Sequence, residues 1–169
     1  MKDIILQIES LKENQRYSDA IILLEESIVK NSSDYRLYEE LADIYLYKGE
    51  LEKGLKAINF ALNLNKDSAT GNYLKGFILL SQDKVKDSIK YLEKSNSMLG
   101  NNSEVLRNLG WAYTMTGENT RGISILKRSL NIAPGDELIT EDLAMALIGI
   151  GEVSEGNNLL QKIGKKNMT

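Results

Sequence analysis

The chain has 169 residues, of which 42% are hydrophobic and 27% charged, a composition typical of an ordinary soluble globular protein. Its formal net charge of −3 provides no basic excess to attract nucleic-acid phosphates, and the absence of cysteine excludes disulfides and thiolate chemistry. Histidine is absent too, so Ser–His and Cys–His nucleophile pairs cannot be built, and the most common general base and metal ligand are missing.

Apolar residues recur at the i, i+3, i+4 and i+7 spacing of amphipathic helices along the whole chain. In chain order, the predicted helices span residues 2–14, 17–30, 35–47, 51–64, 69–81, 85–98, 103–115, 119–132, 137–149 and 153–163. None approaches the ~20 consecutive apolar residues of a membrane span. The first residues are too polar for a signal peptide, so we expect a cytoplasmic protein without membrane insertion.

The helices come in pairs that repeat every 34 residues. The repeats span residues 1–34, 35–68, 69–102, 103–136 and 137–169. The eighth position of a repeat holds Ile8, Ala42, Gly76, Gly110 and Ala144, and the twentieth holds Ala20, Gly54, Ser88, Gly122 and Gly156. Because nearly all of these side chains are small, we expect the two helices of each hairpin to approach closely. Gly49, Gly117 and Gly151 stand between paired helices, where a left-handed residue ends a helix. We expect a single domain of residues 1–169.

This pattern resembles the tetratricopeptide repeat family. The fourth repeat carries the family signature best, with Leu106, Leu109, Gly110, Tyr113, Gly117, Leu126, Ser129 and Pro134. The resemblance covers the whole chain. It implies an all-α fold, a right-handed α-solenoid (superhelix) of five helix–turn–helix units, with a concave face lined by the first helix of each unit.

No motif for catalysis, cofactor binding or metal binding is found in the sequence. Neither a Walker-type phosphate loop nor a calcium loop is present, and the acidic pairs have the spacing of solvated helix faces. Helical-hairpin repeats can also read RNA, but that function needs a basic surface, and here the ends of the chain are acidic and the middle only mildly basic. The sequence therefore predicts no enzyme, no catalytic residues, no cofactor, no metal and no nucleic-acid partner.

In the family, the concave surface is built from defined positions of each first helix. Transferred to this chain, the resemblance assigns partner contacts to Glu9, Glu39, Asp43, Tyr47, Tyr73, Phe77, Arg107, Trp111 and Met115. Accessible aromatic and methionine side chains commonly anchor the apolar side chains of a partner, and acidic residues attract a basic segment. We therefore expect a protein or peptide partner of basic or apolar character. Phe77 and Trp111 could instead pack against neighbouring helices.

The sequence is compatible with two functions. The first is an adaptor that accepts an extended segment or a helix of a partner in its concave groove. The second is a self-assembling scaffold, since solenoids normally end in a helix with a polar outer face. The last predicted helix instead carries apolar residues at Val153, Leu159, Leu160 and Ile163. A second copy of the chain could cover them and form a homo-oligomer.

Overall fold

The computed structural model describes the backbone of residues 2–166 and the side chains of residues 4–164. Within that range the helices are α1 (Lys2–Glu13), α2 (Tyr17–Lys30), α3 (Tyr35–Tyr47), α4 (Leu51–Leu64), α5 (Ala69–Ser81), α6 (Val85–Leu99), α7 (Ser103–Met115), α8 (Asn119–Ile132), α9 (Glu137–Gly149) and α10 (Val153–Lys166). The predicted helices are confirmed, and only the ends of α1, α6 and α10 differ, by one to three residues. No helix in the described range is both long and apolar enough to cross a bilayer.

The chain divides into two compact units, Met1–Asp83 and Lys84–Thr169. The first unit contains α1 to α5 and the second contains α6 to α10. The predicted single domain of residues 1–169 stays a prediction.

The first unit is built around two clusters of buried apolar side chains. One joins the α1–α2 hairpin to α3 and contains Ile8, Ala20, Leu24, Leu37 and Ile44. The other joins α3, α4 and α5 and contains Ala42, Ala57, Ile58, Ala61, Leu74 and Ile78. Helix α3 contributes to both clusters, so each hairpin in this unit completes its apolar core with the first helix of the next repeat. This packing leaves Glu9, Glu13 and Tyr47 on the exposed side of α1 and α3.

The second unit shows the close helix approach that the small residues predict. Helices α7 and α8 meet at Gly110 and Gly122, where a Cβ added to Gly122 would lie 2.7 Å from the carbonyl oxygen of Gly110. A buried cluster joins α8 to α9 and contains Ile123, Leu126, Leu143, Ala146 and Leu147. Leu159 of α10 packs against this cluster, so the last helix is tied to the same core.

The turns inside the hairpins have the left-handed backbone that the glycine positions predict. Gly49, Gly117 and Gly151 have φ angles of +71°, +84° and +91°. In the first and third repeats Gln15 and Asp83 take the same conformation, with φ of 57° and 60°. A residue with a Cβ is disfavoured in this region, so Gln15 and Asp83 adopt it at a small cost in stability.

A polar residue caps the first helix of every repeat after the first. The side chains of Asp34, Ser68, Asn102 and Asp136 accept hydrogen bonds from backbone N–H groups in the first turns of α3, α5, α7 and α9. These bonds satisfy amides that lack a partner within the helix. The apolar pattern does not indicate the caps, although their 34-residue spacing is visible in the sequence.

Candidate functional site

A cleft on the exposed side of α1 and α3 is the first candidate site. Its volume is about 390 Å³, and it is lined by Glu9, Lys12, Glu13, Tyr17 and Tyr47. Glu9 and Tyr47 are among the predicted partner contacts. Tyr17, which begins α2, is not among them, because the family resemblance assigns the concave surface to the first helices. The structure thus brings residues of three helices together at this place.

Lys12 lies in the cleft, but its charge is already paired. Its ammonium group donates a hydrogen bond to Glu40 Oε2 at 3.0 Å and another to Asp43 Oδ2. Burial acts to lower the pKa of Lys12, but the hydrogen bonds and charges of Asp43 and Glu40 outweigh it, and the pKa is raised. Lys12 therefore stays protonated. Asp43, a predicted partner contact, is half-buried and accepts a hydrogen bond from Lys12.

Two exposed carboxylates and an aromatic pair remain available in the cleft. Glu9 and Glu13 are exposed, and neither forms an ion pair within the part of the chain that the structure describes. The rings of Tyr17 and Tyr47 stack with their centroids 5.9 Å apart and an angle of 12° between their planes. Tyr47 is 67% exposed, so one face of this stack is open to solvent.

The structure corrects one predicted surface contact, because the side chain of Glu39 is buried. Its side chain is only 7% exposed and lies against the first turn of α5, where a Cβ added to Gly71 would sit 2.7 Å from Glu39 Oε1. That oxygen is buried and has no hydrogen-bond partner. Burial raises the pKa of Glu39 above its usual value, against the opposing effect of nearby Ser68. The residue belongs to the packing between α3 and α5, so it is not available to a partner.

Replacing Glu39 with Gln is expected to stabilise the protein by about 1 kcal/mol at pH 7, because it removes a buried charge. A carboxylate with a raised folded-state pKa contributes most to stability below its unfolded-state pKa, and stability falls as pH rises through the folded-state value. The advantage of Glu39→Gln should therefore disappear near pH 4 and below. Urea unfolding at pH 4 and pH 7 measures the difference in unfolding free energy between Glu39→Gln and the unmodified protein. Glu25→Gln, at an exposed position on α2, is the control, and an equal gain at both pH values would contradict this account.

The predicted aromatic contacts on α5 are less accessible. Tyr73 and Phe77 are both half-buried, and their rings stack with centroids 6.2 Å apart. Tyr73 also packs against the second core cluster of the first unit. These two rings therefore have a packing role within the unit, and they are only partly accessible to a partner.

In the second unit, the predicted contacts on α7 differ in accessibility. Arg107 donates a hydrogen bond from Nε to Asp142 Oδ2 of α9 at 2.5 Å, so its charge is used inside the unit. Trp111 is half-buried, whereas Met115 is 45% exposed. Met145 of α9 is 50% exposed. The accessible large apolar side chains of the first helices in this unit are thus Met115, Met145 and Leu138, which is 55% exposed.

The apolar residues of α10 lie in different environments. Val153 is exposed, Leu160 and Ile163 are half-buried, and Leu159 packs against the core. A cleft of about 430 Å³ lies beside them. It is lined by Leu130, Asn131, Pro134, Gly135, Glu137, Thr140, Leu159, Lys162 and Ile163. The stripe predicted for self-association is therefore only partly open, and its accessible part continues into this cleft.

The helices form hairpins that recur every 34 residues. Left-handed turns lie inside the hairpins, and polar caps lie between them. These features define a tetratricopeptide-repeat fold. Solved structures with a similar fold include PilW, a type IV pilus biogenesis factor, with a TM-score of 0.89, 19% identity, and coverage of 99% of this chain and 78% of that one. MamA residues 41 to the end from Desulfovibrio magneticus RS-1 has a TM-score of 0.83 at 15% identity, covering 97% of this chain and 93% of that one. The predicted resemblance and the α-solenoid fold class are confirmed.

A third solved structure is YrrB, a tetratricopeptide-repeat protein with an unusual peptide-binding site. Its TM-score is 0.75 at 16% identity, and the match covers 95% of this chain and 82% of that one. Among curated proteins, the Protein CTR9 homolog of Arabidopsis thaliana is 27% identical over 120 residues, which are 69% of this chain. The match spans only 10% of that relative's length. No protein-family model matches the chain. At these identities the likeness establishes the fold.

Proposed function

We propose that this protein is a non-catalytic interaction module that binds an extended peptide or a helix of a partner protein on the faces of its first helices. The observation that carries the proposal is the cleft at Tyr47, a large ring left 67% exposed between acidic side chains. Exposed aromatic and methionine side chains are frequent anchors in protein interfaces. YrrB, which has the same fold, is a peptide-binding protein, and this supports the proposal.

The charged groups of the first helices also favour binding over catalysis. Lys12 is held by Glu40 and Asp43, and Arg107 is held by Asp142, so these partly buried charges are used in ion pairs. Among the described residues, no group of three or more acidic side chains is placed to hold a metal ion. Structural ion pairs shift pKa values without any catalytic role.

A selection from a random peptide library, followed by fluorescence polarisation with the selected peptides, tests the proposal. Tyr47→Ala and Met115→Ala each remove an exposed anchor from the first helices of one unit. At least one of them should weaken binding by roughly tenfold, as expected for loss of an interface anchor. Val29→Ala is the matched control, because Val29 is 86% exposed on the second helix α2.

Two results would overturn this assignment. One is a selection that yields no binding peptide. The other is binding that is lost in Val29→Ala and retained in both first-helix variants, because the binding surface would then lie on the second helices. Circular dichroism of each variant shows whether its helices are intact.

A self-assembling scaffold is the second candidate function. The observation that favours it is the apolar cleft beside α10, together with Val153, which is 49% exposed. A second copy of the chain would cover these groups. Light scattering over a concentration series should then show an oligomer that Val153→Lys and Ile163→Lys disrupt. A protein that stays monomeric at all concentrations would exclude this function and leave the first untouched.

A further inference from the structure

We propose that the cleft lined by Glu9, Glu13, Tyr17 and Tyr47 binds an arginine side chain of the partner peptide. This inference rests on the proposed function and adds the chemistry that the first unit recognises. Three features of the cleft carry it: the charge balance around Lys12, the spacing of the two free carboxylates, and the open face of the tyrosine stack.

The cleft has an excess of negative charge that the chain does not neutralise. Lys12 is the cation of the cleft lining, and two carboxylates from α3 already share it. Glu9 and Glu13 are exposed, and among the described residues neither forms an ion pair with Lys12 or with another basic side chain. An anionic or phosphorylated segment would be repelled here, whereas a cation would be attracted.

The two free carboxylates are placed to act together. Glu9 and Glu13 stand four residues apart on α1, so they project from the same side of the helix, about 5–6 Å apart at their Cβ atoms. A guanidinium group has five N–H donors in a planar fork and can satisfy carboxylates on two sides at once. An ammonium group is a more strongly hydrated point charge that lacks this planar fork.

The tyrosine stack supplies the third contact. The rings of Tyr17 and Tyr47 are nearly parallel, and Tyr47 is 67% exposed, so the ring of Tyr47 is accessible beside the stack. The negative face of an aromatic ring attracts a cation placed over it. A planar guanidinium can also lie flat on the ring while its edges reach towards the carboxylates. The aromatic pair therefore favours arginine over lysine, whereas charge alone would accept either.

The experiment uses the full chain and three probe peptides of seven residues, identical except for a central arginine, lysine or citrulline. Citrulline has nearly the shape of arginine but no charge. Nitrogen–proton correlation spectra are recorded during titration. The arginine peptide should shift the signals of Tyr17, Tyr47 and their neighbours. The citrulline peptide should bind about tenfold more weakly, because its neutral urea group cannot form the charge-assisted hydrogen bonds of a guanidinium group. The lysine peptide should bind several-fold more weakly than arginine.

Variants of the cleft identify which groups bind the probe. Glu9→Gln combined with Glu13→Gln should weaken arginine binding by roughly tenfold or more. Glu25→Gln combined with Glu26→Gln removes the same charge from the exposed surface of α2 and should have little effect. Tyr47→Leu should weaken binding several-fold, whereas Tyr47→Phe should retain it, because the phenyl ring keeps its negative face.

The outcomes separate this inference from the proposed function. Equal binding of the arginine and citrulline peptides would overturn it, as would equal loss in the two paired glutamate variants. If library-selected peptides bind through Tyr47 but contain no arginine, the proposed function stands and the arginine assignment falls. If the arginine probe binds and the library selection yields no peptide, the arginine assignment stands, and the binding of a longer partner segment stated in the proposed function falls.

Discussion

Gly122→Ala is expected to lower the free energy of unfolding by about 3 kcal/mol, because the site where α7 and α8 cross has no room for a methyl group. The new Cβ would lie 2.5 Å from Thr114 Cγ2, 2.7 Å from the Gly110 carbonyl oxygen and 3.0 Å from the Thr114 backbone nitrogen. Two of these three atoms belong to the backbone, so rotating a side chain cannot relieve the overlap. The helices would have to move apart and lose packing around Leu126, which is fully buried.

Gly54→Ala provides the matched control, since Gly54 occupies the same position of the second repeat. A Cβ there would lie 3.4 Å from the Ala42 carbonyl oxygen and from Ile78 Cδ1, which is tight but tolerable contact. Alanine has a higher helix propensity than glycine by about 1 kcal/mol. Gly54→Ala should therefore be neutral or stabilise the protein by up to that amount. Urea unfolding followed by far-ultraviolet circular dichroism compares the two variants, and similar losses in both would refute the steric explanation.

Arg107→Met is expected to destabilise the protein by about 2 kcal/mol at pH 7, because it leaves the carboxylate of Asp142 without its partner. Both side chains are mostly buried, with Nε of Arg107 2.5 Å from Asp142 Oδ2. Burial already raises the pKa of Asp142 above its usual value, and Arg107 opposes that rise through a hydrogen bond and its charge. Without Arg107 the pKa of Asp142 should rise further, and the ionised carboxylate of Asp142 should destabilise the folded state more strongly.

The pH dependence of this loss follows from the direction of the shift. A carboxylate with a raised folded-state pKa binds its proton more tightly in the folded protein, so stability increases as pH falls through that pKa. The difference between Arg107→Met and the unmodified protein should therefore be largest at neutral pH and smaller in acid. Denaturant unfolding at a series of pH values measures this difference in unfolding free energy.

The double variant with Arg107→Met and Asp142→Asn separates charge from packing. It removes the unpaired carboxylate and keeps side chains of similar size, so it should recover at least half of the lost stability at pH 7. Its difference from the unmodified protein should vary less with pH than that of the single variant. A double variant as unstable as the single one at every pH would show that Arg107 stabilises the unit through its aliphatic packing alone.

Most of the fold could be predicted from the sequence because its determinants are local or repeat at a constant interval. The spacing of apolar residues determines the helices, and glycines such as Gly117 mark the hairpin turns. The small pair Gly110 and Gly122 predicts where two helices meet, and the structure confirms this. The caps at Asp34 and Asn102 could have been predicted in the same way, since capping needs only a polar side chain just before a helix.

The candidate site depends on contacts that the repeat pattern does not contain. The predicted contacts Glu39, Asp43 and Arg107 stand at inner positions, and each is used inside its own unit. The residues that decide this belong to another repeat, with Asp43 bonded to Lys12 and Arg107 to Asp142.

The sequence by itself determined the helices, the hairpins and the repeat interval, because periodicity depends on residues a few positions apart. Only the tertiary structure decided which charges pair, which rings stack and which carboxylates remain free. The stacking of Tyr17 on Tyr47 joins two repeats, and the free pair Glu9 and Glu13 remains because Lys12 is bonded to α3. Such pairings depend on side-chain distances across neighbouring helices, and a 34-residue register predicts which helices are neighbours but not which atoms meet.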